Sequence, residues 1–120
     1  MADEELKKAF SELQVKRMET TQLVAVSEGQ RQALQRSITH SQLTCKEITE
    51  FPEGTPLYQS VGRMFLLATK EEVKKSLSGN EASAREKIGE IEKNISRWEK
   101  ALKEQEDSLR ELVSHKQSEK

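Results

Sequence analysis

The sequence predicts a mainly α protein, with two long helices in an antiparallel coiled coil joined by a short β-hairpin segment. Three observations carry that prediction. Two stretches of nearly equal length repeat apolar residues in steps of three and four, the 3.5-residue spacing of a coiled-coil seam. Between them lies Leu57 to Leu67, too short and too β-prone to continue either helix. Pro52, Gly54 and Pro56 separate the first stretch from that segment and end any helix there.

One domain over residues 1–120 is expected, with helix one over about 3–42, a connector and hairpin over about 43–68, and helix two over about 70–115. The first seam reads Leu6, Phe10, Leu13, Arg17, Thr20, Val24, Ser27, Arg31, Leu34 and Ile38. Only six of these ten positions are apolar, so this helix needs the better seam of its partner. Glu4 and Glu5 suit the positive end of its dipole. Thr44-Cys45-Lys46-Glu47 has capping-box spacing and predicts a short separate turn through Ile48.

In the hairpin, Tyr58, Ser60 and Val61 form one strand and Met64 to Leu67 the other. Gly62-Arg63, glycine first, fits a two-residue type II′ loop. Thr69-Lys70-Glu71-Glu72 is a second capping box and starts helix two. Val73 and Leu77 lie off the later heptad register and are expected to pack under the hairpin. Ser78-Gly79-Asn80 is a weak helical patch where the helix is free to kink. From there the second seam reads Ala84, Ile88, Ile91, Ile95, Trp98, Leu102, Gln105, Leu109 and Leu112, with eight of nine positions apolar.

An antiparallel pair sets each a position against a d position. A register in which facing residue numbers sum to 122 sets Phe10 against Leu112, Leu13 against Leu109, Val24 against Trp98 and Leu34 against Ile88. It alone matches the polar Gln105 with the polar Arg17, and its midpoint falls at the hairpin turn. The product is a thin two-helix arm, roughly 50 Å long at about 1.5 Å per residue.

Composition narrows function. Charged residues make up 34% and aromatics 4%, too few apolar groups for a thick core. Lys+Arg (20) nearly balances Asp+Glu (21), which argues against nucleic acid or a polybasic membrane contact. No run approaches the roughly 18 apolar residues that would span a bilayer. The acidic start has no signal-like apolar run and Cys45 stands alone, so a cytoplasmic location is expected. His40 and His115 have no metal-ligand spacing, Cys45 has no placed base, and Asn94-Ile95-Ser96 is a sequon inside a helix. No phosphate loop or nucleophile elbow is present, so neither a cofactor nor an enzymatic activity is expected.

What remains is interaction surface. Leu57, Tyr58, Val61, Gly62, Met64, Phe65, Leu66 and Leu67 put far more apolar surface on the hairpin than two strands can cover. Bare strand edges of that kind pair with other chains; the alternative is that these residues only cap the local coil. At the other end, Leu6, Phe10, Leu13, Leu109, Leu112 and Val113 would be partly exposed if the last turns splay. Such a tip suits contact with unfolded segments without sequence preference; otherwise these residues simply close the coil.

The run Tyr58-Gln-Ser-Val-Gly-Arg-Met-Phe-Leu, followed by Lys70-Glu-Glu-Val between two coiled-coil helices, resembles the β-type subunits of the prefoldin family. The opening Glu5-Leu-Lys-Lys-Ala-Phe-Ser-Glu-Leu-Gln adds to it, and the likeness covers essentially the whole chain. The chain departs from it at Ser78-Gly79-Asn80, which lacks the apolar and charged character expected there. The resemblance implies a heterohexamer of two α-type and four β-type subunits, whose hairpins build a β-barrel platform carrying six arms. It implies that the arm tips hold unfolded actin and tubulin without nucleotide, for delivery to the cytosolic chaperonin. A coiled-coil adaptor or scaffold binding specific folded partners is the alternative.

Overall fold

The computed structural model describes residues 2–118 and has two long helices with a two-stranded antiparallel hairpin between them. Helix α1 spans Ala2–Glu50, strand β1 Leu57–Val61, strand β2 Met64–Ala68 and helix α2 Lys70–Ser118. The fold class is therefore the one the heptads predict. The chain divides into two compact units, one of residues 31–89 and one of residues 1–30 with 90–120.

The hairpin belongs to the first unit. Val61 pairs with Met64 across the turn, then Ser60 with Phe65, Gln59 with Leu66, Tyr58 with Leu67 and Leu57 with Ala68. Gly62 has φ +61°, and among the described residues no non-glycine has positive φ. A positive φ at the first loop position only is the type II′ pattern, whose twist matches that of the strands. At the connector, Gly54 (φ +86°) takes the third position of a turn closed by the Thr55 amide donating to Pro52 O at 3.3 Å. That is a type II turn, which favours glycine there.

Helix α2 begins as a reciprocal capping box. The Glu72 amide donates to Thr69 Oγ1 at 3.1 Å, and the Thr69 amide donates to Glu72 Oε2 at 3.4 Å. Two of the orphan donors at the helix start are thereby satisfied. The helix runs unbroken through Ser78-Gly79-Asn80, so this weak patch does not end it.

Helix α1 differs from the expected boundary. It continues past residue 42 to Glu50, and Thr44 lies inside it rather than capping a separate turn. The physical reason is that the heptad does not stop at Ile38. Ser41 and Ile48 are buried and Cys45 is half-buried, at the next three-and-four steps. The small Ser41 conceals the repeat in the sequence. The last turn of α1 has no basic residue of its own, and Lys70, at the start of α2, supplies the cation. Its Nζ donates to Thr49 O at 3.0 Å and to Phe51 O at 3.1 Å, satisfying terminal carbonyls at the negative end of the dipole.

In this unit the core is Ile38, Ser41, Ile48 and Ala84, with Ile38 only 2% exposed. In the other unit it is Leu13, Thr20, Ser27 and Leu109. The buried Thr20 and Ser27 are small, and among the described residues no buried side-chain nitrogen or oxygen lacks a partner. A seam with such positions trades apolar area for close approach, which is why it is thin. The register is legible in the polar bonds that cross it. Gln42 Nε2 donates to Glu81 Oε1 at 3.0 Å in one unit. In the other, Arg17 pairs with Glu106 at 3.0 Å and Lys116 with Glu5 at 3.1 Å. These residue numbers sum to 123, 123 and 121, within one of the 122 expected. Arg17 itself leaves the seam: it is exposed, and its guanidinium reaches sideways to Glu106 instead of facing Gln105.

Candidate functional site

Two surfaces hold the residues that the sequence singles out. In an antiparallel ladder, directly opposed residues share a face. One hairpin face therefore carries Leu57, Gln59, Val61, Met64, Leu66 and Ala68, and the other Tyr58, Ser60, Phe65 and Leu67. Leu57 and Ala68, at the base, and Gln59, at the middle of β1, are half-buried. Both faces expose large apolar side chains: Val61, Met64 and Leu66 on one side, Tyr58, Phe65 and Leu67 on the other. Phe65 is 71% exposed and Leu67 69%. An antiparallel sheet in a monomer ordinarily packs its apolar face on a core, whereas both faces of this hairpin expose large apolar side chains.

The two-residue loop also fixes which backbone groups stay free. Val61 and Met64 close the turn, so Leu57, Gln59 and Val61 of β1 bond inward to β2. Tyr58 and Ser60 on one edge, and Phe65 and Leu67 on the other, turn their N–H and C=O groups outward. Each edge thus offers a short row of donors and acceptors to another strand.

Phe51 extends this patch and was not among the residues singled out from the sequence. It is 45% exposed and lines an open cleft of about 460 Å³ at the hairpin base, with Ile48, Leu57 and Leu67. The available signal was an aromatic residue in a connector broken by Pro52 and Pro56, where no helix seam exists to bury it.

At the termini of the helices the six tip residues separate by burial. Leu13 and Leu109 are buried, Leu6, Leu112 and Val113 are half-buried, and Phe10 is 54% exposed. The Lys116–Glu5 pair joins the two ends at 3.1 Å, and the Lys116 side chain is only 23% exposed. An exposed ion pair of this kind contributes under about 1 kcal/mol, so the cover over these half-buried side chains owes little to it.

Glu81 is the described group with a clear displacement, its pKa lowered from the ordinary carboxylate value by the Arg85 hydrogen bond and then by the Gln42 amide. Arg85 Nη2 lies 2.8 Å from Glu81 Oε1, one helical turn away. Its bond with Gln42 braces α2 against α1. Among the described residues no cluster of three His, Cys, Asp or Glu could hold a metal ion, and no helix is long and apolar enough to cross a membrane.

Two long helices with a bare two-faced hairpin between them define an assembly-type coiled-coil subunit. The prefoldin subunit family model matches residues 11–116, so the chain belongs to the prefoldin family. It is 42% identical over 111 residues to prefoldin subunit 1 of Homo sapiens, covering 92% of this chain and 91% of that protein. It is 41% identical over 111 residues to the Tetraodon nigroviridis protein of the same name, with the same coverage. A probable prefoldin subunit 1 of Caenorhabditis elegans is 40% identical over 116 residues, covering 94% of this chain and 97% of that one. The crystal structure of the prefoldin beta subunit from Thermococcus strain KS-1 superposes with a TM-score of 0.72 over 89% of this chain and 90% of that one. At 17% identity it shows a shared fold.

Proposed function

We propose that this chain is a subunit of a hexameric, ATP-independent chaperone that assembles with α- and β-type prefoldin subunits through its hairpin. In this reading the helix ends hold non-native chains of the actin and tubulin class for transfer to the cytosolic chaperonin. The observation that carries it is the hairpin, whose two faces both expose large apolar side chains next to unpaired strand edges. Only burial against further strands satisfies both faces and both edges at once. The family supports assembly with other prefoldin subunits in the cytoplasm, and the half-buried end with Phe10, Leu112 and Val113 supports weak, sequence-tolerant contact with an unfolded chain. The work asked of the molecule is holding, with no bond made or broken.

The test leaves the hairpin untouched. Truncation before Leu109 combined with Leu6→Ser and Phe10→Ser is expected to leave the hexamer assembled while weakening its suppression of aggregation of diluted, denatured actin. Light scattering reads the effect, with and without ATP. The loss is partial, because other subunits in the complex still contact the client. Equal protection by altered and unaltered complexes would exclude these residues as the site, and a strict ATP requirement would exclude the mechanism.

A further inference from the structure

The open cleft at the hairpin base, about 460 Å³, is built by the end of α1, the connector, both strands and the start of α2. Its apolar lining is Ile48, Phe51, Pro56, Leu57, Leu67 and Ala68. The polar groups around it are already engaged within the chain. Lys70 Nζ donates to Thr49 O and Phe51 O, and Thr69 and Glu72 cap each other. The Thr55 hydroxyl donates to Pro52 O at 2.6 Å. What the cleft offers a visiting group is therefore apolar surface, including the exposed Phe51.

We propose that this cleft is a socket for one apolar side chain of a neighbouring prefoldin subunit, the residue that pairs opposite Leu67, and that Phe51 selects that neighbour. The inference rests on assembly through the hairpin and adds to it residues outside the strands. Leu67 carries the argument. Its N–H and C=O groups point outward from the β2 edge, so a strand added antiparallel there bonds to it directly. Opposed residues of such a pair project from the same face, their Cβ atoms about 4.5–5.5 Å apart. The partner residue set against Leu67 therefore projects beside a side chain that lines the cleft. Main-chain pairing alone delivers it there. A charged residue at that step would be buried without a partner, because Lys70 and Glu72 are engaged within this chain. An apolar one covers Phe51. Pairing supplies adhesion that any strand could give, and the socket rejects a strand with a charge at that step. The β1 edge has no such device, since its outward residues Tyr58 and Ser60 do not line the cleft. The two edges thus take different neighbours, and the β2 edge is the selective one.

The experiment uses the complex formed by co-expressing this chain with its partner subunits. A photo-crosslinking phenylalanine analogue at position 51 is expected to join this chain to the hairpin of one other subunit, identified by peptide mass spectrometry. The same analogue at position 75, exposed on α2, is expected to give no such product. Phe51→Ala is expected to lower incorporation roughly tenfold in competition with the unaltered chain, and Phe51→Leu to restore most of it. Ala68→Phe fills the cleft from this chain's own side. It is expected to lower incorporation although it adds apolar surface, an outcome that general stickiness of the hairpin would not give. Circular dichroism of each variant confirms that the helices persist. Crosslinks from 51 that stay within the chain, or that spread equally over all subunits, would overturn the inference. Normal incorporation of Ala68→Phe would overturn it as well, even with Phe51→Ala weakened. If these variants assemble normally while Phe65→Asp blocks assembly, the socket fails and assembly through the hairpin stands. If Phe65→Asp also assembles, both fail.

Discussion

Phe65→Asp tests the hairpin where its energetics are largest. The six apolar side chains of the bare hairpin, Tyr58, Val61, Met64, Phe65, Leu66 and Leu67, average about 60% exposure. Complete burial of such a side chain is worth roughly 1.5–3 kcal/mol, so covering the remaining surface yields roughly 5–11 kcal/mol per hairpin. That gain must offset lost translational and rotational freedom, which costs roughly 4–15 kcal/mol, so assembly has little to spare. Phe65→Asp removes about 2 kcal/mol of this and adds a carboxylate whose burial costs several more. A loss of about 4–6 kcal/mol weakens association by roughly three to four orders of magnitude. Phe65→Leu keeps an apolar group and should cost under about 1.5 kcal/mol. The assay is co-expression with partner subunits followed by native mass spectrometry, with circular dichroism of the purified chain to confirm that the helices persist. A Phe65→Asp chain that enters the hexamer at the wild-type level would refute the reasoning.

Three further outcomes check the remaining geometry. Cysteines at 10 and 112 in a Cys45→Ser background should form a disulfide within one chain, read on a non-reducing gel, and exclusive interchain bonds would contradict the register. Thr69→Ala removes the acceptor for the Glu72 amide and should cost about 1 kcal/mol in urea unfolding, with faster amide exchange at Glu72. The lowered pKa of Glu81 means that its bonds to Arg85 and Gln42 stabilise the fold above the ordinary carboxylate range. That contribution is lost as pH falls through the lowered folded-state value. Arg85→Gln should move the Glu81 midpoint in an NMR titration back toward its ordinary value, and an unmoved midpoint would assign the shift elsewhere.

The heptads made both helices and their register legible because apolar spacing alone specifies which side chains can meet. The hairpin turn was equally legible, since Gly62 sits where a type II′ turn needs positive φ and Arg63 where it does not. The end of α1 was hidden for a different reason. Thr44 and Ser41 read as punctuation when taken locally, yet Ser41 is a buried seam residue and the Thr49 hydroxyl bonds back to Cys45 O at 2.7 Å inside the helix. A small polar side chain that satisfies its own hydroxyl on the preceding turn costs the helix little, so the boundary follows Pro52 and not the nearer serines and threonines. The Lys70 bridge to Thr49 O and Phe51 O was out of reach for sequence reading, because it depends on where the hairpin returns the chain.

The same distinction applies to the surfaces. Apolar content marked the hairpin as an interface, but it did not separate Phe10 from Leu13. Both occupy seam positions at the same end, and one is 54% exposed while the other is buried at 7%. Heptad phase states which residues face the partner helix and is silent on how completely a two-stranded seam covers each of them. The large Phe10 ring overhangs a thin interface that encloses Leu13. In the chaperone reading proposed above, the exposed Phe10 ring would offer a client apolar contact without a preformed pocket.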